Sequence, residues 1–355
     1  MADRAPQIFW DWGTAYDLFA SLHVLHHPEN FGLRPSWAAG VRSRLSGDQR
    51  NILEDAQNLF FSSPLDWVSS LPEPKDANSV LASLAEIPPA RRLPTMAQHA
   101  DVESELLKVL KSVLERRAWD EDDLQKLQQH HHGEKARVDK EALVRTLNWW
   151  SHPEEFGERY LAALQDYVTV FFAEEEQRIK PFLQQSLARA QSLAASLTFS
   201  ELFITLSQGV KIPTIEGAEQ VTFVPSYWTT PLVMFDCVRK GHWVVLFGAR
   251  SPQASLVPGD LVPDALLRSL KALSDPTRLL ILRYLSDQPL TPSQLARKLR
   301  LRPPTVIHHL NALRLAGLVY VTLEEREEKR YTVRVPAVAE TFEVLSQFMN
   351  NERGV

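Results

Sequence analysis

Apolar residues recur at helical spacing through most of this chain and at strand spacing in two stretches. Residues 16–27 put Leu18, Leu22 and Leu25 on one helical face, and Pro28 stops the pattern. Pro35 opens a short helix through Trp37 and Val41. Ser46-Gly47-Asp48 caps another that carries Ile52, Leu53 and Leu59. Residues 62–74 are turn-rich, and 79–84 predict a short helix before the Pro88-Pro89 break. Residues 101–119 align Leu106, Leu107, Leu110 and Val113 along one stripe; 128–134, QQHHHGE, read as a loop; 140–149 read as a short helix. A long helical region follows over 153–197, with a kink or break expected at Pro181. Thr198 and Glu201 have the spacing of a capping box for the next helix.

After Gly209 the period changes. EQVTFVPSY (219–227) and HWVVLFG (242–248) are strand-like, and 231–238 predict a further strand between them. These imply a small antiparallel sheet, with 7–12 as a candidate further strand, that closes a mainly helical N-terminal domain over residues 1–255. Residues 251–263, rich in Pro, Ser and Gly, predict the linker to a second domain over 256–355. The fold class is therefore mainly α with small β elements.

In that second domain, LARKL pairs Leu295 with Leu299 one turn apart, and Leu301-Arg302-Pro303 breaks the period. Pro303 and Pro304 suit the first turn of a new helix, where a missing N–H costs nothing. In that helix Val306, Leu310 and Leu313 mark the buried face. Pro304, Thr305, Ile307, His308 and Asn311 lie opposite, with His309 nearer the apolar side. Gly317 suits a left-handed helix end. Residues 319–323 and 330–335 alternate as strands do, with 324–329 as the turn between them. Helix, turn, helix, strand, turn, strand is the order of a winged helix-turn-helix, whose second helix enters the major groove of DNA.

Charge sharpens this picture. The net charge of −5 hides an asymmetry: residues 262–335 hold 13 Lys+Arg against 7 Asp+Glu, or +6, and the remainder 26 against 37, or −11. A basic module on an acidic body points to a polyanion partner for the module alone. With 44% apolar and 23% charged residues the composition is that of a soluble globular protein. No apolar run approaches the ~20 residues of a membrane helix. The N-terminus lacks the basic start and apolar segment of a secretory signal. One cysteine, Cys237, excludes an internal disulfide and fits a reducing cytosol, so a cytoplasmic location is expected.

The stretch LSDPTRLLILRYL, the helix PPTVIHHLNALRLAGLV and the position of the wing resemble the ArsR family of bacterial winged-helix regulators over about the last quarter of the chain. AYDLFASLHVLHHPENFGLRPSWAAGVRSRL resembles the long N-terminal extension of a subgroup of those regulators, and identifies no ligand. The resemblance implies a dimeric DNA-binding repressor that reads a palindromic operator. It implies that Arg302, Pro303, Pro304, Thr305 and His308 meet bases or nearby phosphates. Two departures alter that readout: Arg302-Pro303 stands where the family has Ser-Gln, and Ile307 where it has Ser before the His. Arg302 suits a guanine edge or a phosphate, and Ile307 either a thymine methyl or its own wing. His308 is either a contact or an exposed surface histidine.

In the wing, Glu324, Glu325, Glu327 and Glu328 surround Arg326, so the tip is expected to turn from phosphates; Lys329 and Arg330 are the better backbone contacts. Arg278 either touches the DNA backbone or pairs with Asp275. Val338, Phe342, Leu345 and Phe348 form the stripe that the resemblance assigns to the dimer interface; docking on the chain's own N-terminal region is the alternative.

Two metal sites common in the family are missing from the sequence. The helix before the DNA-reading one, TPSQLARKL, has no Cys, and residues 337–351 have no His. His130-His131-His132 is a loop cluster without further ligands at spacing, and Cys237 reads as strand core. No metal or cofactor is expected, and an organic effector or a partner acting through the N-terminal domain is. GxGxxG, GxxxxGK[ST], HExxH and GxSxG are absent, so an enzyme is not expected. Nine tryptophans suggest core and interface rather than a lined pocket. The rival to the DNA reading is a winged-helix protein-interaction scaffold without specific DNA readout.

Overall fold

The computed structural model describes residues 5–350 except 34, 60–63, 98–104, 132–139, 251–261 and 325–327. The expected linker, the third histidine of the His cluster and the wing tip therefore lie mostly outside the described residues. Strand β1 (Gln7–Trp10) leads into α1 (Thr14–His26), α2 (Pro35–Arg42), α3 (Gly47–Leu59), α4 (Leu65–Ser69), α5 (Ala77–Glu86) and α6 (Pro89–Ala97). There follow α7 (Glu105–Arg116), α8 (Glu121–His131), α9 (Lys140–Ser151), α10 (Pro153–Tyr167), α11 (Ala173–Ala194) and α12 (Phe199–Leu206). Next come β2 (Val210–Lys211), α13 (Pro213–Glu216), β3 (Gln220–Ser226), β4 (Met234–Arg239) and β5 (His242–Gly248). The C-terminal part comprises α14 (Asp264–Leu273), α15 (Pro276–Asp287), α16 (Pro292–Leu299), α17 (Pro303–Leu315), β6 (Val319–Thr322), β7 (Arg330–Val333) and α18 (Val335–Asn350).

Local chemistry sets many of these limits. Ser46 accepts from Gln49 N while Gln49 accepts from Ser46 N at the head of α3. Thr198 and Glu201 form the expected capping box of α12. One expectation fails and one is narrowed. The QQHH segment is helical, as the end of α8. Pro181 does not break its helix: α11 runs through it on the solvent side, and the irregularity is a π-helical turn at Val168–Phe172.

The N-terminal sheet is a correction. Its order is β1-β3-β5-β4; β1 runs parallel to β3, β3 parallel to β5, and only β4 is antiparallel, to β5. The reason is burial on both faces. Val221, Phe223, Val245 and Phe247 join Leu202, Phe203 and Ile215 in one core, while Val224, Val244 and Leu246 join the helical body around α1, α10 and α11 in another. Strands covered on both sides read as continuous apolar runs, which is the mark of parallel strands inside a sheet. The antiparallel expectation holds only for the β4–β5 hairpin, turned through Gly241 at φ 76°.

Helix α1 is the axis of the helical body, with every residue from Thr14 to Leu22 buried. Its Asp17 is wholly enclosed and accepts from Ser226 Oγ (2.7 Å), Tyr227 N (3.2 Å) and Trp228 N (2.9 Å), fastening α1 to the end of β3. Trp37 stacks on Trp228 at 5.2 Å, and Trp150 and Trp228 are fully buried, so these tryptophans are core. Cys237 is only half-buried, because β4 is an edge strand; its Sγ donates to Arg239 O at 3.1 Å.

Candidate nucleic-acid interface

The C-terminal helices are built by caps that the sequence displays. Asp275 accepts from Arg278 N (3.0 Å) ahead of Pro276 and starts α15. Thr291 and Gln294 form a capping box for α16. Arg300 closes α16 in the left-handed conformation (φ 56°), and Arg302 is the N-cap of α17, with Pro303 and Pro304 in its first turn. The turn between the two helices is thus Arg300-Leu301-Arg302.

Helix α17 buries Val306, Leu310 and Leu313 in a compact core with Ile281, Leu285, Leu295, Val319 and Tyr331. That orientation leaves Arg302, Pro303, Pro304, Thr305, Ile307, His308 and Asn311 all exposed on one outward surface. Ile307 is 44% exposed. His309 is held inside, its Nδ1 3.9 Å from Asp275 Oδ1; burial, more than the neighbouring charges, lowers its pKa. Arg278 resolves as structural: its Nε donates to Ala272 O (2.9 Å) and its Nη2 to Lys271 O (2.6 Å), closing the end of α14, with Asp275 at 3.9 Å.

Strands β6 and β7 pair antiparallel from Val319↔Val333 to Thr322↔Arg330. Lys329 and Arg330 are exposed at the start of β7. Glu328 turns back toward α16, accepting from Ser293 Oγ (2.6 Å) and Ser293 N (3.2 Å) at that helix's positive end. This removes one wing carboxylate from the outward surface. Residues 325–327 lie outside the described residues.

Hydrophobic spacing carries no signal for one feature of the wing. Strand β2 pairs parallel with β6, with Val321 N donating to Gly209 O and Leu323 N to Lys211 O, both at 2.9 Å. The wing sheet is therefore three-stranded, and its third strand comes from the N-terminal region. Gly209 permits this at φ 100°; a Cβ there would stand 3.0 Å from the Tyr320 ring.

The expected dimer stripe divides. Phe342 is 56% exposed, Leu345 and Phe348 are half-buried, and Val338 packs partly on the winged-helix core. Val335 and Met349 add exposed apolar surface on α18, as do Leu279 and Leu280 on α15. The opposite side of α18, with Ala337 and Thr341 buried, packs on α14. Among the described residues no group of three or more His, Cys, Asp or Glu side chains has the geometry to hold a metal. None of the described helices is long and apolar enough to cross a membrane.

With this geometry in view, the comparisons with known proteins fall on the same module. Residues 275–321 match the model of the bacterial regulatory protein, arsR family. The HTH-type transcriptional regulator CmtR of Mycobacterium bovis is 48% identical over 64 residues, which span 18% of this chain and 54% of that one; CmtR of Mycobacterium tuberculosis matches equally. The match thus covers about half the length of these relatives. An ArsR-like transcriptional regulator from Rhodococcus sp. RHA1 aligns at 31% identity over 25% of this chain and 81% of its own, with a TM-score of 0.23. The C-terminal module of this chain is a winged helix-turn-helix of the ArsR family.

Proposed function

We propose that this chain is a sequence-specific DNA-binding transcriptional regulator, acting as a repressor, whose α17 enters the major groove. The carrying observation is the outward surface of α17, where seven residues from Arg302 to Asn311 are exposed while the opposite side is locked into the core. Arg302 offers a forked donor at the helix start, Ile307 an apolar contact for a thymine methyl, and Thr305, His308 and Asn311 polar reach. Lys329 and Arg330 flank the groove as phosphate contacts. The apolar surface of α18 around Phe342 and Leu345, with Leu279 and Leu280 of α15, supports a two-fold dimer on a palindromic operator.

The division into residues 1–255 and 256–355 is part of the same reading, with the first part controlling the second through an organic effector or a partner. The β2–β6 pairing supports it, because a change in the N-terminal region that moves Gly209 moves a strand of the wing. The test is an anisotropy titration of the full chain against duplex DNA from beside its own gene. Repeating it from ~50 to ~200 mM salt should show affinity falling with a slope that counts neutralised phosphates. Failure to bind any duplex at low salt would sink the reading and favour a protein-interaction scaffold.

A further inference from the structure

The wing strand is not the sole meeting point of the two regions. Beside it lies a cavity of about 560 Å³ whose walls come from α11, α12 and the end of β5 on one side and from α14, α18 and the Ala316-Gly317 end of α17 on the other. That volume is in the range of small-molecule sites. Leu193, Leu206, Leu266 and Val344 make part of the wall apolar. Its charged lining residues are Arg189, Arg250 and Arg334 against Glu340, a surplus of two positive charges.

Arg250 is the anomaly. The residue is only 5% exposed. Nη2 donates to Thr230 O at 2.9 Å, but Nη1 is buried without a hydrogen-bond partner. The neighbouring Arg268 is in the same condition at Nε. Burial and then the Arg268 charge depress the Arg250 pKa to about 10, with the Asp264 carboxylate as the acidic group acting on both guanidiniums. The Tyr227 ring lies 5.7 Å from the Arg250 guanidinium and Asp264 supplies one carboxylate for two guanidiniums, so the pair keeps a surplus positive charge that a further anion would offset. Gly248 lets Thr230, whose carbonyl holds Arg250, pack directly on the end of β5: a Cβ there would stand 2.7 Å from Thr230 Oγ1.

We infer that this cavity is a binding site for an amphipathic organic acid, with its carboxylate at Arg250 and its apolar part along Leu206 and Val344. This deepens the regulator reading and rests on it for the consequence, since a ligand here touches both the N-terminal region and the end of α17. The binding itself is testable without DNA.

Octanoate is the probe, with octanol and inorganic phosphate as the arms that lack the charge or the chain. Calorimetry on the full chain should show saturable octanoate binding, with either control weaker by about tenfold or more. Arg250→Met should lower octanoate affinity by a similar factor. Should that variant misfold, Val344→Trp, which fills the cavity without touching its charge, should do the same. Absence of saturable binding overturns the site. So do unchanged affinity in Val344→Trp, and octanol or phosphate binding as tightly as octanoate. A chain that binds octanoate through Arg250 but binds no duplex keeps the site and loses the regulator reading. A chain that binds its operator and no octanoate does the reverse.

Discussion

Helices α1 and α17 are alike in one respect and opposite in another. Neither has a strongly amphipathic pattern. In α1 the cause is enclosure: Leu18, Leu22 and Leu25 face one way, but Asp17, Ala20 and Val24 on the opposite side are buried too. In α17 the cause is exposure: Val306, Leu310 and Leu313 are buried, while Ile307 and two prolines add apolar character to the solvent side. A weak apolar moment therefore marks either a helix that the fold surrounds or one whose outer face is kept for a partner. Stability should reside in α1, and affinity in the outward side of α17.

The largest effect should come from truncating the enclosed helix. Leu22 is wholly buried, and Leu22→Ala leaves a cavity that packing cannot collapse, at about 2–5 kcal/mol of unfolding free energy. Denaturant unfolding measures it, while operator affinity at a temperature where the variant is folded should stay unchanged. A loss of affinity in parallel would break the comparison.

Asp17 sharpens it through pH. Burial pushes this carboxyl up to about 6, against the three hydrogen bonds that favour its charged form. The folded chain then holds a proton that the unfolded chain, with a pKa near ~3.9, has released. Stability contributed by this group is full below about pH 4, is lost as pH rises to about 6, and is constant above. Two pKa units correspond to about 3 kcal/mol, an upper figure. Asp17→Asn should remove that slope from a plot of unfolding free energy against pH; an unaltered slope would assign it to other groups.

These two helices also show what the sequence could and could not display. Each turn of the winged helix is announced locally: Asp275-Pro276 by a side chain on a backbone N–H, Thr291 and Gln294 by a reciprocal cap, Pro303-Pro304 by a missing donor. Hence α15 to β7 and the exposed set from Arg302 to Asn311 were legible. The sheet direction was not, because it depends on Gln7 meeting Gln220 and on which faces the helices cover. Strand β2 is two residues whose partner lies more than a hundred positions away, too short for any period to reveal. Asp17 and Arg250 look like ordinary charges in a string of letters. Their importance comes from burial, which is a property of the whole fold, and the one local hint is the polar letter inside the apolar run AYDLFA.

The smallest effect tests the outward helix. His308 is exposed at the second turn of α17, beside Ile307 and one turn before Asn311 and Ala312. Removing an exposed side chain that makes no core contact should leave unfolding free energy within about 0.5 kcal/mol. If His308 reads a base, His308→Ala should weaken operator binding by about 1–3 kcal/mol and relax preference at one base pair, with the salt slope unchanged. Equal weakening on operator and random duplex would make it a phosphate-positioning residue instead. No weakening on either would move the readout to Arg302 and Thr305, at the N-terminal end of the helix. Stability and affinity measured on the same variant separate these outcomes, because the enclosed and outward helices predict opposite signs of sensitivity: Leu22→Ala changes the first and spares the second, and His308→Ala does the converse.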